Sequence, residues 1–565
     1  MIIPPAKDRL DFYCDVIKRC ETSLADRQAA YANYRQYFLF GGLGTQRQVK
    51  QNRLRDKLNL LSSLLYGQEA TKFSLKFAPF VPDDQKIYSD TLHEVALDLW
   101  HGTDADRCFG DVVTWAGVYG SMMQKICMTP FGIQTYPLSP GCFAVMREDT
   151  DRIAHQEALV HTYWVSKSQL WRELAKHPSR DEIFKRLTAT KKEEDPQTIP
   201  STVQRMIITQ VQPSMVGAAN VDGQGLRVMY SPQVEDEVVE LKETWIWDDS
   251  LQNGDGDYRI WTAAIPDITI YDRPNFFIPQ ENPFIKVSPI PIYDYFWGYS
   301  LCGALLGLQD WRDKRLGQID LTLERQLRPS RIGIGGTNLS GEKIRALDAP
   351  GGFHNVNQPN AKIDTYKPEM PEDAWRLIDN IDEQMNEIMG LQKTIQGRGE
   401  EGVRSEGHAV FLGRMASAPI KKLALLTEDS LEDVITLMLK LRCREDKRPY
   451  LADKDSDGKK KRFLLSQVSP EYRVKVSAHS SSPVFAEENR QMAEGMFKNG
   501  VIGKQTYAEM LDPPMLETVL ARLPELEKAQ AKVAELQAQQ EASKAEKNLA
   551  QAAAARAKAP LSAVK

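Results

Sequence analysis

The sequence lacks an excess of basic charge, paired cysteines, long apolar runs and clustered histidines. Over 565 residues, 72 Lys and Arg face 77 Asp and Glu, giving a formal charge of −5 and a pI near 6.0. That balance excludes a protein that coats nucleic acid with its whole surface. The seven cysteines (Cys14, Cys20, Cys108, Cys127, Cys142, Cys302 and Cys443) form no CxxC pair. An odd, scattered set speaks against a disulfide scaffold or a zinc framework and fits a reducing compartment. No apolar run approaches the roughly 18 residues of a membrane-spanning helix. The opening MIIPPAKDRLDFYCDVIK carries prolines and charges where a secretion signal needs an apolar core. The expectation is a soluble product made in the cytoplasm. With eight histidines, none in HxxxH or HExxH spacing, and no GxSxG elbow, the chain offers no hydrolase constellation. No enzyme activity, cofactor or metal is expected.

Partial motifs fail for physical reasons. Gly336–Lys343 approaches a P-loop, but Glu342 stands in the lysine position, where a carboxylate repels phosphate. Gly500-Val-Ile-Gly503-Lys504 has the lysine but the wrong glycine spacing. Asp453, Asp455, Asp457 and Gly458 match the first half of a calcium loop. Leu464 then replaces the bidentate glutamate, and Lys459–Arg462 add positive charge. Ordinary turns explain all three. Acidic sets such as Asp310/Asp313 and Asp379/Asp382/Glu383 are expected on solvated helix faces.

What is present is a strong patterning of elements. Hydrophobic residues make up 42% and charged residues 26%, as in ordinary globular chains. Residues 6–39 read as one long helix ending at Gly41-Gly42, followed by helices over Asn52–Gln68 and Asp106–Met128, the last apolar nearly all round. From Ile133 to Ile292, runs such as ALVHTYWV, TVQRMIITQVQ, DEVVELKETWIWDD and YRIWTAAI read as strands, interrupted by a polar helical piece over Ser166–Thr190. Leu301, Leu305, Leu308, Leu316, Ile319 and Leu323 then form one helical stripe, with Asp310, Asp313 and Glu324 opposite. After a Gly/Pro/Asn-rich excursion comes a helix over PEDAWRLIDNIDEQMNEIM, with Pro371 in its first turn. The glycine-rich GLQKTIQGRGEEGVRSEGH leads into a helix over Ser405–Arg444, which Pro419 should kink. Strand-like RFLLSQV and YRVKVSA precede a helical end with a turn at Asn499-Gly500 and an Ala-rich tail, which forms either a peripheral helix or a frayed one. The fold class is α+β, predominantly helical.

This order resembles that of tailed-bacteriophage portal (head-to-tail connector) proteins. The likeness rests on DYFWGYSLCGALLGLQDWRDKRLGQIDLTLERQLRPSRIGI, with its aromatic-Gly-x-Ser entry, long helix and Pro-x-x-Ile/Gly exit. It is also carried by SSPVFAEENRQMAEGMFKNGVIGKQTYAEML and by AAYANYRQYFLFG near the start.

The resemblance implies a ring of identical subunits, usually twelve, at one capsid vertex of the virion. Double-stranded DNA passes through it in packaging and ejection. Regions carried over are a wing (1–298), a first stem helix (299–324), a clip (325–370), a second stem helix (371–389) and a tunnel loop (390–407). A long kinked helix with wing strands (408–480), a crown (481–530) and a tail (531–565) complete the chain. Implied partners are further copies of the chain, DNA, the terminase large subunit, a tail adaptor, and the major capsid and scaffolding proteins, with no membrane. In the tunnel loop, Lys393, Arg398 and Arg404 are candidates for transient phosphate contact, and Glu400, Glu401 and Glu406 for preventing capture. Arg328, Arg331 and Lys343 are candidate partner contacts of the clip. The alternatives are a nucleic-acid-processing motor or nuclease, which lacks its phosphate loop or acidic metal site here, and a monomeric adaptor or scaffold protein.

Overall fold

The computed structural model describes residues 1, 3–5, 8–41, 51–67, 71–82, 88–129, 132–190, 238–264, 268–327, 330–334, 362–366, 369–391, 406–454, 460–476, 479–480, 482–511, 543–545 and 547–552. Helices and antiparallel sheets are mixed, and two compact units divide the chain at Val484/Phe485.

The first unit opens with two helices rather than the single one expected: α1 (Arg9–Cys20) and α2 (Leu24–Phe40). The break is local. Thr22 turns its hydroxyl back onto the carbonyls of Lys18 (3.1 Å) and Arg19 (3.0 Å), competing with the helical ladder. Helix α2 ends as expected at Gly41, whose φ of 73° suits a left-handed cap. Asn52 then serves two helices at once. Its Nδ2 donates to the Tyr37 and Phe38 carbonyls, and its Oδ1 accepts from Arg55 N at the start of α3 (Arg53–Leu65). Leu54, Leu58, Leu61 and Leu65 form the buried stripe of α3.

Strand β1 (Phe73–Phe77) leads into α4 (Ser89–Gly102) and α5 (Ala105–Tyr119). The sequence pattern extended α5 to Met128, but the helix stops at Gly120 and residues Met122–Thr129 form strand β2. A Cβ on Gly120 would lie 2.2 Å from the Gly298 carbonyl oxygen, and its φ is 90°. Only glycine lets the two backbones touch there.

Strand β2 pairs with β3 (Gly132–Leu138), and β4 (Phe143–Val145) with β5 (Ala158–Ser166). The helical piece after β5 is present as α6 (Lys167–Glu173) and α7 (Arg180–Thr190), with Ser166 capping α6. Strands β6 (Val238–Asp248), β7 (Asp257–Ala264) and β8 (Ile268–Pro274) complete a five-stranded sheet of order β4-β5-β6-β7-β8. Strand β9 (Phe284–Val287) completes the sheet β3-β2-β9. The run TVQRMIITQVQ lies outside the described residues. Tyr13 of α1 stacks on Trp261 of β7 at 4.8 Å, fixing the first helix to the larger sheet.

Helix α8 (Leu301–Leu327) runs into a two-stranded ribbon, β10 (Ser330–Ile334) and β11 (Lys362–Tyr366), and the chain returns along α9 (Ala374–Ile388). Pro371 precedes α9 instead of sitting in its first turn; its carbonyl accepts from Ala374 N. Helix α10 (Glu406–Glu445) is 40 residues long and continues through Pro419. The ribbon β12 (Pro449–Lys454) and β13 (Lys460–Leu464) follows, and β14 (Tyr472–Val476) pairs with β1. Of the partial calcium loop, residues 455–459 are outside the described set.

In the second unit, α11 (Ala486–Lys498) and α12 (Lys504–Leu511) are joined by the expected turn at Gly500, and Phe497 stacks on Tyr507 at 4.5 Å.

Candidate functional site in the helix–ribbon–helix

The stripe read from α8 is only partly apolar. Leu301, Leu305 and Ile319 are buried, but so are Gln309, Arg312 and Asp313. Arg312 lies on the leucine stripe, one turn from both Leu308 and Leu316, and is 2% exposed. Its Nε donates to Asp382 Oδ1 of α9 at 2.9 Å, and its Nη2 to Gln51 Oε1 at 2.8 Å. Gln309 accepts from Leu54 N and donates to the Gln51 carbonyl (2.9 Å) and to Asp313 Oδ2 (3.0 Å). Lys57 of α3 reaches the Asp382 carbonyl at 3.2 Å and the Asn386 side chain.

These contacts overturn the reading of Asp313 and Asp382 as members of solvated faces. Asp313 is 6% exposed, and Asp382 is the meeting point of α8, α9 and α3. Asp310 is also engaged, accepting from the Tyr37 hydroxyl at 2.7 Å. Asp379 and Glu383 are exposed as expected. Since α9 buries Ile378, Ile381 and Met385 on the stripe beside Asp382, polar and apolar contacts together fix its register.

The end of α9 is a Schellman cap. Leu391 N donates to the Asn386 carbonyl (2.8 Å) and Gly390 N to the Glu387 carbonyl (3.0 Å), with Gly390 at φ 68°. Leu391 is fully buried, and a Cβ on Gly390 would lie 3.5 Å from Pro419 Cβ. The first two residues of the glycine-rich stretch are therefore a helix terminus seated against α10. Lys393, Arg398, Glu400, Glu401 and Arg404 lie outside the described residues, and Glu406 begins α10. Arg328 and Lys343 also lie outside them. Arg331 is in β10, in register with Thr365.

The outer half of the helix pair is different in character. Leu321 (53%), Leu323 (40%) and Leu327 (84%) on α8 and Trp375 (53%) on α9 face solvent. Leu321 and Leu323 lie on nearly opposite sides of α8, so the exposed apolar groups surround this end of the pair and offer contacts on two sides.

A second charged cluster lies in the sheets. Lys125 Nζ is 2.6 Å from Glu243 Oε2, Trp245 Nε1 donates to Glu243 Oε1 at 2.8 Å, and His161 Nδ1 is 3.9 Å from the same carboxylate. Burial pushes the Glu243 carboxyl up, but Lys125 and His161 outweigh it and hold the group well below the usual carboxylate range. Burial lowers the His161 pKa. This is an internal ion pair with its acceptors engaged, suited to joining β2 to β6. None of the seven cysteines is in a disulfide, and burial pushes Cys20, Cys142 and Cys302 up to about 12, keeping them as thiols.

Among the described residues, no group of three or more His, Cys, Asp or Glu is placed to hold a metal ion, and no helix is long and apolar enough to cross a membrane. No protein-family model matches the chain, and no curated protein matches it.

Sequence reasoning missed the Arg312–Asp382 link. Its signal was an arginine in the middle of a leucine stripe, followed by an amphipathic helix with an acid to meet it.

Proposed function

We propose that this chain is a phage portal subunit: copies form a ring, on the order of twelve, around a channel for double-stranded DNA at one capsid vertex. The observation that carries this reading is the helix–ribbon–helix with its outer apolar end. A monomer leaves Leu321, Leu323, Leu327 and Trp375 in water, whereas a ring packs each helix pair against the next and covers them. The Arg312–Asp382 network holds α8 and α9 as one strut, and the seated Gly390–Leu391 cap fixes where the glycine-rich loop leaves the body. In this assembly the loop faces the channel. The ribbon end docks the terminase large subunit during packaging and a tail adaptor afterwards, and capsid and scaffolding proteins surround the ring.

The test is negative-stain microscopy with mass photometry of the purified protein. Rings with a central hole are expected; compact monomers at tens of micromolar protein overturn the proposal.

A further inference from the structure

The ribbon formed by β1 and β14 has one closed edge and one open edge. On the β14 side, Val474 N donates to Thr436 Oγ1 (3.1 Å) and Val476 N to Glu432 Oε1 (3.0 Å), both from α10. These amides therefore point away from β1. The pairs Leu75–Val474 and Phe73–Val476 are thus the non-hydrogen-bonded positions of the ladder. The same alternation turns the N–H and C=O groups of Phe73, Leu75 and Phe77 away from β14. Among the described residues, none of these groups has a hydrogen-bond partner; Phe73 is buried, so the edge is open to a further strand at Leu75 and Phe77.

The chain has thus sealed one edge with a helix and left the other unpaired. A lone two-stranded ribbon is marginal, and an unpaired edge is a template for another strand. Helix α4 covers the apolar face of β1, where Phe73 packs edge-on against Trp100. It supplies no hydrogen bond to the edge. Leu75 and Phe77 are half-buried, and Phe80, in the turn beyond the strand, is 73% exposed.

We infer that the open edge of β1 receives an extended segment from a second copy of this chain, an inference that rests on the ring reading. Donors and acceptors alternating along the strand match another peptide backbone and not a phosphate chain. A ring also requires each subunit to offer two different surfaces, and an edge filled from outside is one of them.

The position of Leu75 allows a backbone test. Leu75→Pro removes an amide that points outward and makes no bond within the subunit, whereas Leu75→Ala keeps it. Wild type and Leu75→Ala should form rings; Leu75→Pro should keep the wild-type circular dichroism spectrum and remain monomeric. Hydrogen exchange at the Leu75 and Phe77 amides should be at least ~10-fold slower in wild-type rings than in dissociated subunits. Rings formed by Leu75→Pro as readily as by wild type, or equal exchange in rings and subunits, overturn the edge inference and leave the ring standing. If Leu75→Pro does not fold, exchange on the wild type decides. A wild-type protein that never forms rings removes both.

Discussion

Arg312 shows how much one side chain sets at this site. It is buried on a leucine stripe, and Asp382 and Gln51 receive its guanidinium. Removing one partner of a buried ion pair typically costs about 3–5 kcal/mol, because the other is left unpaired. Asp382 retains partial exposure, so Arg312→Ala should cost about 3 kcal/mol, measured by urea denaturation, and Asp382→Asn less. Equal midpoints for wild type and Arg312→Ala would show that the network contributes nothing. His161 gives a second residue-level outcome. Its folded pKa is depressed by burial, so the unfolded chain takes up a proton near 6.5 that the folded chain refuses. Its contribution is therefore present above that pH and is lost as the pH falls through it, by up to about 1.4 kcal/mol per pH unit. His161→Gln should flatten the dependence of stability on pH between about 7 and 5; an unchanged slope in denaturation across that range removes the assignment.

At the scale of elements, what could be read was whatever local pattern decides. The leucine stripe of α8 and the amphipathic α9 follow from spacing, and strands β5, β6 and β7 from β-branched and aromatic runs between turn residues. The break after Cys20 was less legible because a single Thr does not by itself end a helix, and only its two back-bonds mark the turn. Met122–Thr129 was unreadable as a strand for another reason: what stops α5 is Gly298, a residue distant in sequence whose carbonyl occupies the space of a Gly120 side chain. Helix α4 was missed altogether, although Leu92, Val95, Ala96, Leu99 and Trp100 give it a sound buried face. At the candidate site, the stripe was legible and its buried arginine was not, since a stripe search counts apolar residues and passes over the charge between them. The Gly120–Gly298 contact predicts a severe element-level defect. A Cβ on Gly298 would lie 2.0 Å from Ser288 Oγ and 2.3 Å from the Gly120 carbonyl oxygen. Gly298→Ala should therefore cost more than about 4 kcal/mol and appear as lost soluble yield. Adding Ser288→Ala should not restore it, because the carbonyl remains; recovery by that second change would place the clash at the hydroxyl alone.

For the whole molecule, the decisive quantity is how charge and apolar surface are distributed over an assembly. A near-neutral chain suits a conduit, because every basic contact with phosphate adds salt-dependent affinity and a continuous basic lining would hold the DNA. In the proposed ring, replacing Lys393, Arg398 and Arg404 together with glutamine should lower DNA retention in an in vitro packaging assay and weaken its dependence on salt; unchanged retention would leave these residues as solvating charges. The apolar end of the helix pair tests the assembly itself. Leu321, Leu327 and Trp375 are all more than half exposed, so a triple Leu321→Ser, Leu327→Ser, Trp375→Ser variant removes little that the subunit buries internally. Surface changes of this kind usually stay within about 0.5 kcal/mol each, so the melting temperature of the isolated subunit should hardly move. In a ring the same groups are covered by neighbours, and their loss is repeated at every joint around the circle. The expected result is a folded monomer with no rings by mass photometry at concentrations where wild type is fully assembled. A variant that assembles as tightly as wild type would show that the apolar end of α8 and α9 serves something other than contact between copies.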